Sequence, residues 1–124
     1  MKTIETVFPI PFLGEYIGNG KFKLEKPFEY WNPPVKVKVP AGFITDGASI
    51  PRFAWSLIGS PWSGRYARAA IIHDYLYFTK TVSRKEADRI FLQAMQILKV
   101  NWFKRRAMWL AVRLFAGAGW NKKR

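Results

Sequence analysis

An α+β fold is expected for this chain, with an N-terminal antiparallel β-sheet followed by an α-helical layer that contains an antiparallel helix pair. Three observations predict it. Charged and apolar residues alternate between residues 21 and 39, helical apolar spacing takes over after residue 50, and Pro and Gly gather at the joints. Residues 1–45 read as strand-rich, 46–116 as helical and 117–124 as a basic tail, all within a single domain.

The elements are taken in chain order. Lys21-Phe-Lys-Leu-Glu25 and Val35-Lys-Val-Lys-Val39 each present one apolar face with period two, the pattern of half-buried strands. Pro27-Phe-Glu-Tyr-Trp31 lies between them, Asn32-Pro-Pro34 is a turn, and Pro40-Ala-Gly42 precedes a short strand from Phe43 to Thr45. Pro51 suits the first turn of a short helix ending near Ile58, and Gly59-Ser-Pro-Trp-Ser-Gly64 is a loop. A helix over about residues 65 to 79 comes next. Ser83 and Glu86 have capping-box spacing, and the helix they open should bury Ala87, Ile90, Phe91, Ala94, Met95 and Leu98. A last helix from Trp102 to Ala116 is expected to pack through Phe103, Ala107, Leu110, Ala111 and Leu114. Trp102, Trp109 and Trp120 are assigned to core and helix packing, and Gly117 with Gly119 should end the helix before a frayed tail.

Composition narrows the function classes. With 49% hydrophobic and 17% aromatic residues, 124 residues suffice for a core, which excludes a disordered or collagen-like chain. The formal charge of +13 favours polyanionic partners, either nucleic acid or an anionic phospholipid surface. No nucleic-acid motif accompanies it, so nucleic acid ranks below lipid. The absence of cysteine excludes disulfides and thiolate metal sites. The N-terminus has no signal-peptide core, and no run reaches the ~20 apolar residues that span a bilayer.

The chemistry-bearing residues are few. There is one histidine, His73, and there are three aspartates, Asp46, Asp74 and Asp88. His73 and Tyr77 are four apart and share a helical face, whereas Asp74 lies about 100° round from His73. The short link from Lys80 to Val82 returns the next helix antiparallel and brings Asp88 near His73 or Tyr77. Asp46 sits in the turn Thr45-Asp-Gly-Ala-Ser49, where a glycine can turn backbone carbonyls outward as ligands. A histidine that titrates near neutrality, with a carboxylate to fix its tautomer, points to a hydrolytic site.

His73-Asp74-Tyr75-Leu76-Tyr77, with Asp88 on the following helix and Thr45-Asp46-Gly47-Ala48-Ser49 before it, resembles the secreted phospholipases A2, especially the compact bacterial type. The likeness covers roughly Thr45 to Phe115. It implies a phospholipase A2-like helical core, His73 as general base, Asp88 as its partner and Tyr77 as the group that holds Asp88. It also implies Ca²⁺ as cofactor, held by Asp46, the Gly47 carbonyl and Asp74. Those enzymes brace the calcium loop with a disulfide whose two ends correspond here to Ala48 and Ala70. Apolar residues such as Phe43, Phe53, Trp55 and Trp62 would then suit a lipid substrate.

Over nearly its whole length the chain is also similar to a family of phage and prophage proteins known only as a domain of unknown function. The motifs that carry this likeness are Phe43-Ile-Thr-Asp-Gly-Ala-Ser-Ile-Pro51 and Ala69-Ala-Ile-Ile-His-Asp-Tyr-Leu-Tyr77. It implies a site of action in the host cytoplasm or the virion. The expected function is a phage-encoded phospholipase A2-like hydrolase. The alternative is a non-catalytic virion or host-interaction protein that reuses the fold, and the third is a basic nucleic-acid-binding protein.

Overall fold

In a computed structural model, residues 3–47, 50 and 66–121 are described, and the chain divides into two compact units, Met1–Asp46 and Gly47–Arg124.

The first unit opens with a short helix, α1 (Ile4–Val7), fixed by reciprocal hydrogen bonds between Thr3 and Thr6. Five strands come after it: β1 (Gly14–Gly18), β2 (Lys21–Leu24), β3 (Phe28–Asn32), β4 (Val35–Val39) and β5 (Ile44–Thr45). They form two antiparallel sheets rather than one, β1-β2-β5 and the hairpin β3-β4. Pro27 separates β2 from β3, and its missing N–H cannot continue a ladder. The period-two reading holds in detail. Val37 and Val39 are buried while Lys36 and Lys38 between and beside them are exposed. Lys36 pairs across the hairpin with Trp31 and sets its ammonium 4.3 Å from that ring's centroid. The unit's core is aromatic, with Phe8 5.8 Å from Phe28 and 5.3 Å from Tyr30.

The second unit is helical. α2 (Ala67–Thr79) buries most of its circumference, including Ala69, Ile72, His73, Asp74 and Leu76, and leaves half-buried or exposed the side that carries Arg68, Tyr75, Phe78 and Thr79. With so broad a buried arc, both His73 and Asp74 are buried although they point in different directions. It ends at Lys80, whose left-handed backbone returns its N–H to the Leu76 carbonyl. α3 (Arg84–Ile97) starts at Ser83, whose hydroxyl accepts the Glu86 N–H. The Glu86 carboxylate binds Arg89 instead of reaching back to Ser83, so only half of the expected capping box forms. The predicted α3 stripe is buried as expected, from Ala87 through Ile90, Phe91, Ala94 and Met95 to Leu98. α2 packs on α3, and α3 on α4 (Trp102–Phe115).

α4 departs from its expected orientation. It buries Met108, Ala111 and Val112, whereas Phe103, Leu110 and Leu114 face outward and Ala107 is half-buried. Apolar residues occur on every side of this helix, so spacing alone offers two stripes; the one chosen buries Met108 and Val112 completely. Trp102, assigned to the core, is exposed. The segment 117–124, expected as a basic tail, begins as structure, a short helix α5 (Gly117–Asn121) whose Trp120 packs edge-on against Tyr77 at 5.1 Å, while residues 122–124 lie outside the described residues. The predicted helix over residues 51–58 and the loop at 59–64 lie outside the described residues.

Candidate active site

Two helices position the site. His73 and Tyr77 stand one turn apart on α2, and Asp88 stands on α3, five residues past the Ser83 cap. Contacts run in reverse order, Tyr77 with Arg84 and His73 with Asp88, so the pair is antiparallel as the short link requires.

The Asp88 carboxylate is the hub. Its Oδ1 lies 2.6 Å from His73 Nε2 and accepts the Tyr77 hydroxyl at 2.6 Å, while Oδ2 accepts from Arg113 Nη1 at 2.6 Å. Asp88 and His73 are both fully buried, whereas Arg113 comes in from α4 with its side chain 31% exposed. Arg84 closes the circuit. Its Nε donates to the Tyr77 hydroxyl at 3.2 Å, and its Nη2 donates to the Val112 and Arg113 carbonyls at 2.8 and 2.9 Å. It thereby satisfies carbonyls at the C-terminal end of α4, where a cation also complements the helix dipole. The His73 ring sits among aromatic groups, 4.1 Å from Tyr77 and 4.8 Å from Phe91 between centroids.

Charge and burial set the ionisation of the hub. Burial by itself pushes the Asp88 carboxyl up, but hydrogen bonds from His73 and Tyr77, the charge His73 carries when protonated, and Arg113 outweigh it and hold the group below the usual carboxylate range. The Tyr77 hydroxyl is pushed well above the usual phenol range, first by burial and then by its bond to the Asp88 anion. Tyr77 is therefore a proton donor to Asp88 that keeps its proton. With Asp88 ionised, Nε2 of a neutral His73 carries the ring proton and Nδ1 carries the basic lone pair.

Of the residues expected in the site, the structure brings His73, Tyr77 and Asp88 together. Asp74 is next to His73 in sequence, yet the partners of the Asp88 carboxylate are His73, Tyr77 and Arg113. Asp74 is buried on another side of α2. Asp46 is half-buried at the end of the first unit, and Gly47, with φ of 81°, opens the second. That φ is the left-handed region a glycine permits, and the Gly47 carbonyl receives a long bond, 3.5 Å, from the Ile50 N–H. Beside them the Thr45 hydroxyl is buried with no hydrogen-bond partner, the condition of an oxygen that takes a water or an ion. The donors here are all oxygens, which fits a hard cation such as Ca²⁺. Among the described residues no three His, Asp or Glu side chains are gathered as metal ligands, so backbone and hydroxyl oxygens would have to complete such a set. Ala70 is fully buried, and Ala48 lies outside the described residues.

Arg84 and Arg113 are the site residues that sequence reasoning missed. Arg113 carried one signal, as the only charged residue between Ala107 and Ala116. Arg84 was hidden inside a cap motif.

Fold and site together define an α+β protein with a buried histidine–carboxylate pair carried on antiparallel helices. The chain belongs to the family described as "Protein of unknown function (DUF1353)", which matches residues 22–112 and so includes His73, Tyr77 and Asp88. It is 39% identical over 100 residues to the uncharacterized protein y4jT of Sinorhizobium fredii (strain NBRC 101917 / NGR234), covering 80% of this chain and 30% of that protein. It is 38% identical over 76 residues to the uncharacterized protein y4iH of the same strain, covering 61% of this chain and 31% of the relative. The matched region thus spans under a third of the length of either relative. No solved structure matches significantly.

Proposed function

We propose that the chain is a phospholipase A2-like hydrolase, phage-encoded in origin, in which His73 and Asp88 activate water against an ester carbonyl. The observation that carries this reading is the 2.6 Å contact between His73 Nε2 and an Asp88 oxygen that Tyr77 also grips. His73 Nδ1 takes a proton from water as the water attacks, and Nε2–H donates to Asp88 throughout. The carboxylate stabilises the imidazolium that forms, and Tyr77 and Arg113 hold the carboxylate in place. Asp46, the Gly47 carbonyl and Asp74 would hold a calcium ion. When bound, the ion supplies a positive charge that polarises the ester carbonyl and offsets phosphate and oxyanion charge. The basic chain and the expected apolar residues near the site support an anionic phospholipid as substrate.

The test is release of fatty acid from mixed anionic liposomes in the presence of calcium. Activity should vanish in His73→Ala, and Asp74→Asn should lose activity together with calcium dependence. Absence of release by the unaltered protein, beside an active control enzyme, overturns the proposal.

A second reading has its own support. His73 and Asp88 are both completely enclosed, and a buried hydrogen-bonded network of this kind also specifies a fold. On that reading the protein is a non-catalytic virion or host-interaction module. His73→Gln, if folded, would then keep every partner the unaltered protein captures.

A further inference from the structure

The outer face of α4 is apolar where a helix facing water is ordinarily polar. Phe103, Leu110 and Leu114 project within about 40° of one another around the helix axis, and they are 70%, 51% and 64% exposed. Met108 and Val112, on the opposite side, are completely buried, so the stripe is an external face and not a ragged edge of the core. Trp102, at the helix start and about 100° round from Phe103, is also exposed, and the Arg106 guanidinium stands 5.9 Å from its indole ring. Lys104 and Arg106 are exposed along its flanks. From residue 89 to residue 124 the sequence holds nine Lys and Arg and not one Asp or Glu.

We infer that this face docks on an anionic phospholipid bilayer, with α4 lying in the plane of the interface. Phe103, Leu110 and Leu114 enter the boundary between headgroups and acyl chains, and Lys104 and Arg106 meet the lipid phosphates. At about 21 Å α4 is too short to cross the hydrocarbon layer and long enough to lie on it. Charge selects this occupant over a second copy of the chain. Self-association through α4 would press two uniformly basic segments together with no acid in either to offset them, whereas an anionic bilayer offers an apolar layer under a negative one. The inference rests on the helix face and not on the histidine–aspartate pair.

Co-sedimentation of the full chain with vesicles tests it. Binding to vesicles of phosphatidylglycerol mixed with phosphatidylcholine should exceed binding to phosphatidylcholine alone and should weaken with salt. Neutralising Lys104 and Arg106 together (K104Q with R106Q) should lower affinity for the anionic vesicles about thirtyfold, at roughly 1 kcal/mol for each charge. Phe103→Asp with Leu110→Asp, both at exposed positions, should abolish binding while leaving the circular dichroism spectrum and thermal transition in place. Equal binding by that double variant overturns the inference. So does a concentration-dependent dimer that the same double variant makes monomeric. Binding without fatty-acid release upholds this inference and sinks the hydrolase proposal; hydrolysis of dispersed lipid without vesicle binding does the reverse.

Discussion

Replacing Asp88 by Asn removes one charge, keeps the shape and leaves three donors around a group that can no longer serve them all. The carboxylate accepts three bonds at 2.6 Å, from His73, Tyr77 and Arg113, in full burial. Hydrogen bonds to a charged group each contribute about 1.5–3 kcal/mol, offset by several kcal/mol for taking the carboxylate out of water. In the asparagine, turning the side-chain oxygen toward His73 and Tyr77 points the amide at the Arg113 guanidinium. Breaking a buried pair in this way costs about 3–5 kcal/mol, against a total stability on the order of 5–15 kcal/mol. The melting temperature should fall by roughly 10–20 °C. Urea titration followed by circular dichroism reads the loss directly. Acid adds a second signature. Asp88 binds its proton less readily in the folded than in the unfolded state, so its contribution is complete above about pH 4 and fades as pH falls further. The gap between the unaltered protein and Asp88→Asn should therefore close below about pH 4. A loss under about 1 kcal/mol at neutral pH, with a gap that stays constant into acid, would refute the description of Asp88 as an ionised hub.

The packing sets two further outcomes. Arg84→Met keeps the aliphatic stem but strips donors from the Tyr77 hydroxyl and from the Val112 and Arg113 carbonyls, and it should cost about 2 kcal/mol in the same urea titration. The orientation of α4 is tested by a matched pair: Met108→Ala should lose about 2–5 kcal/mol, whereas Leu110→Ala should stay within about 0.5 kcal/mol. The reverse order would restore the stripe expected from spacing.

Local signals wrote most of this fold into the sequence. The alternation at Val35–Val39 set that strand and its exposed lysines, and Ser83 marked the start of α3 to the residue. The meeting of His73, Tyr77 and Asp88 came from a four-residue spacing and a link too short for anything but reversal. Elsewhere the signal was absent for physical reasons. α1 is four residues long and rests on a Thr3–Thr6 exchange, while β1 begins and ends in glycine, so neither carries a period. α4 carries apolar residues on every side among its basic ones, and only its packing partners select the buried face. Arg113 reaches the site on a long side chain from the end of α4, a distance that residue spacing along one helix does not encode, whereas Arg84 stands one turn before Asp88 on α3, a spacing masked by the cap motif around it. Adjacency misleads most at His73-Asp74, since consecutive residues on a helix point about 100° apart.

The central claim is that Asp88, and not Asp74, fixes the tautomer of His73. Because the chain holds a single histidine, ¹⁵N NMR of the imidazole reads that claim without ambiguity of assignment. A neutral ring protonated on Nε2, with a tautomer balance that shifts in Asp88→Asn and holds in Asp74→Asn, is the predicted result. A ring protonated on Nδ1 in the unaltered protein, or one indifferent to Asp88 and responsive to Asp74, would contradict it.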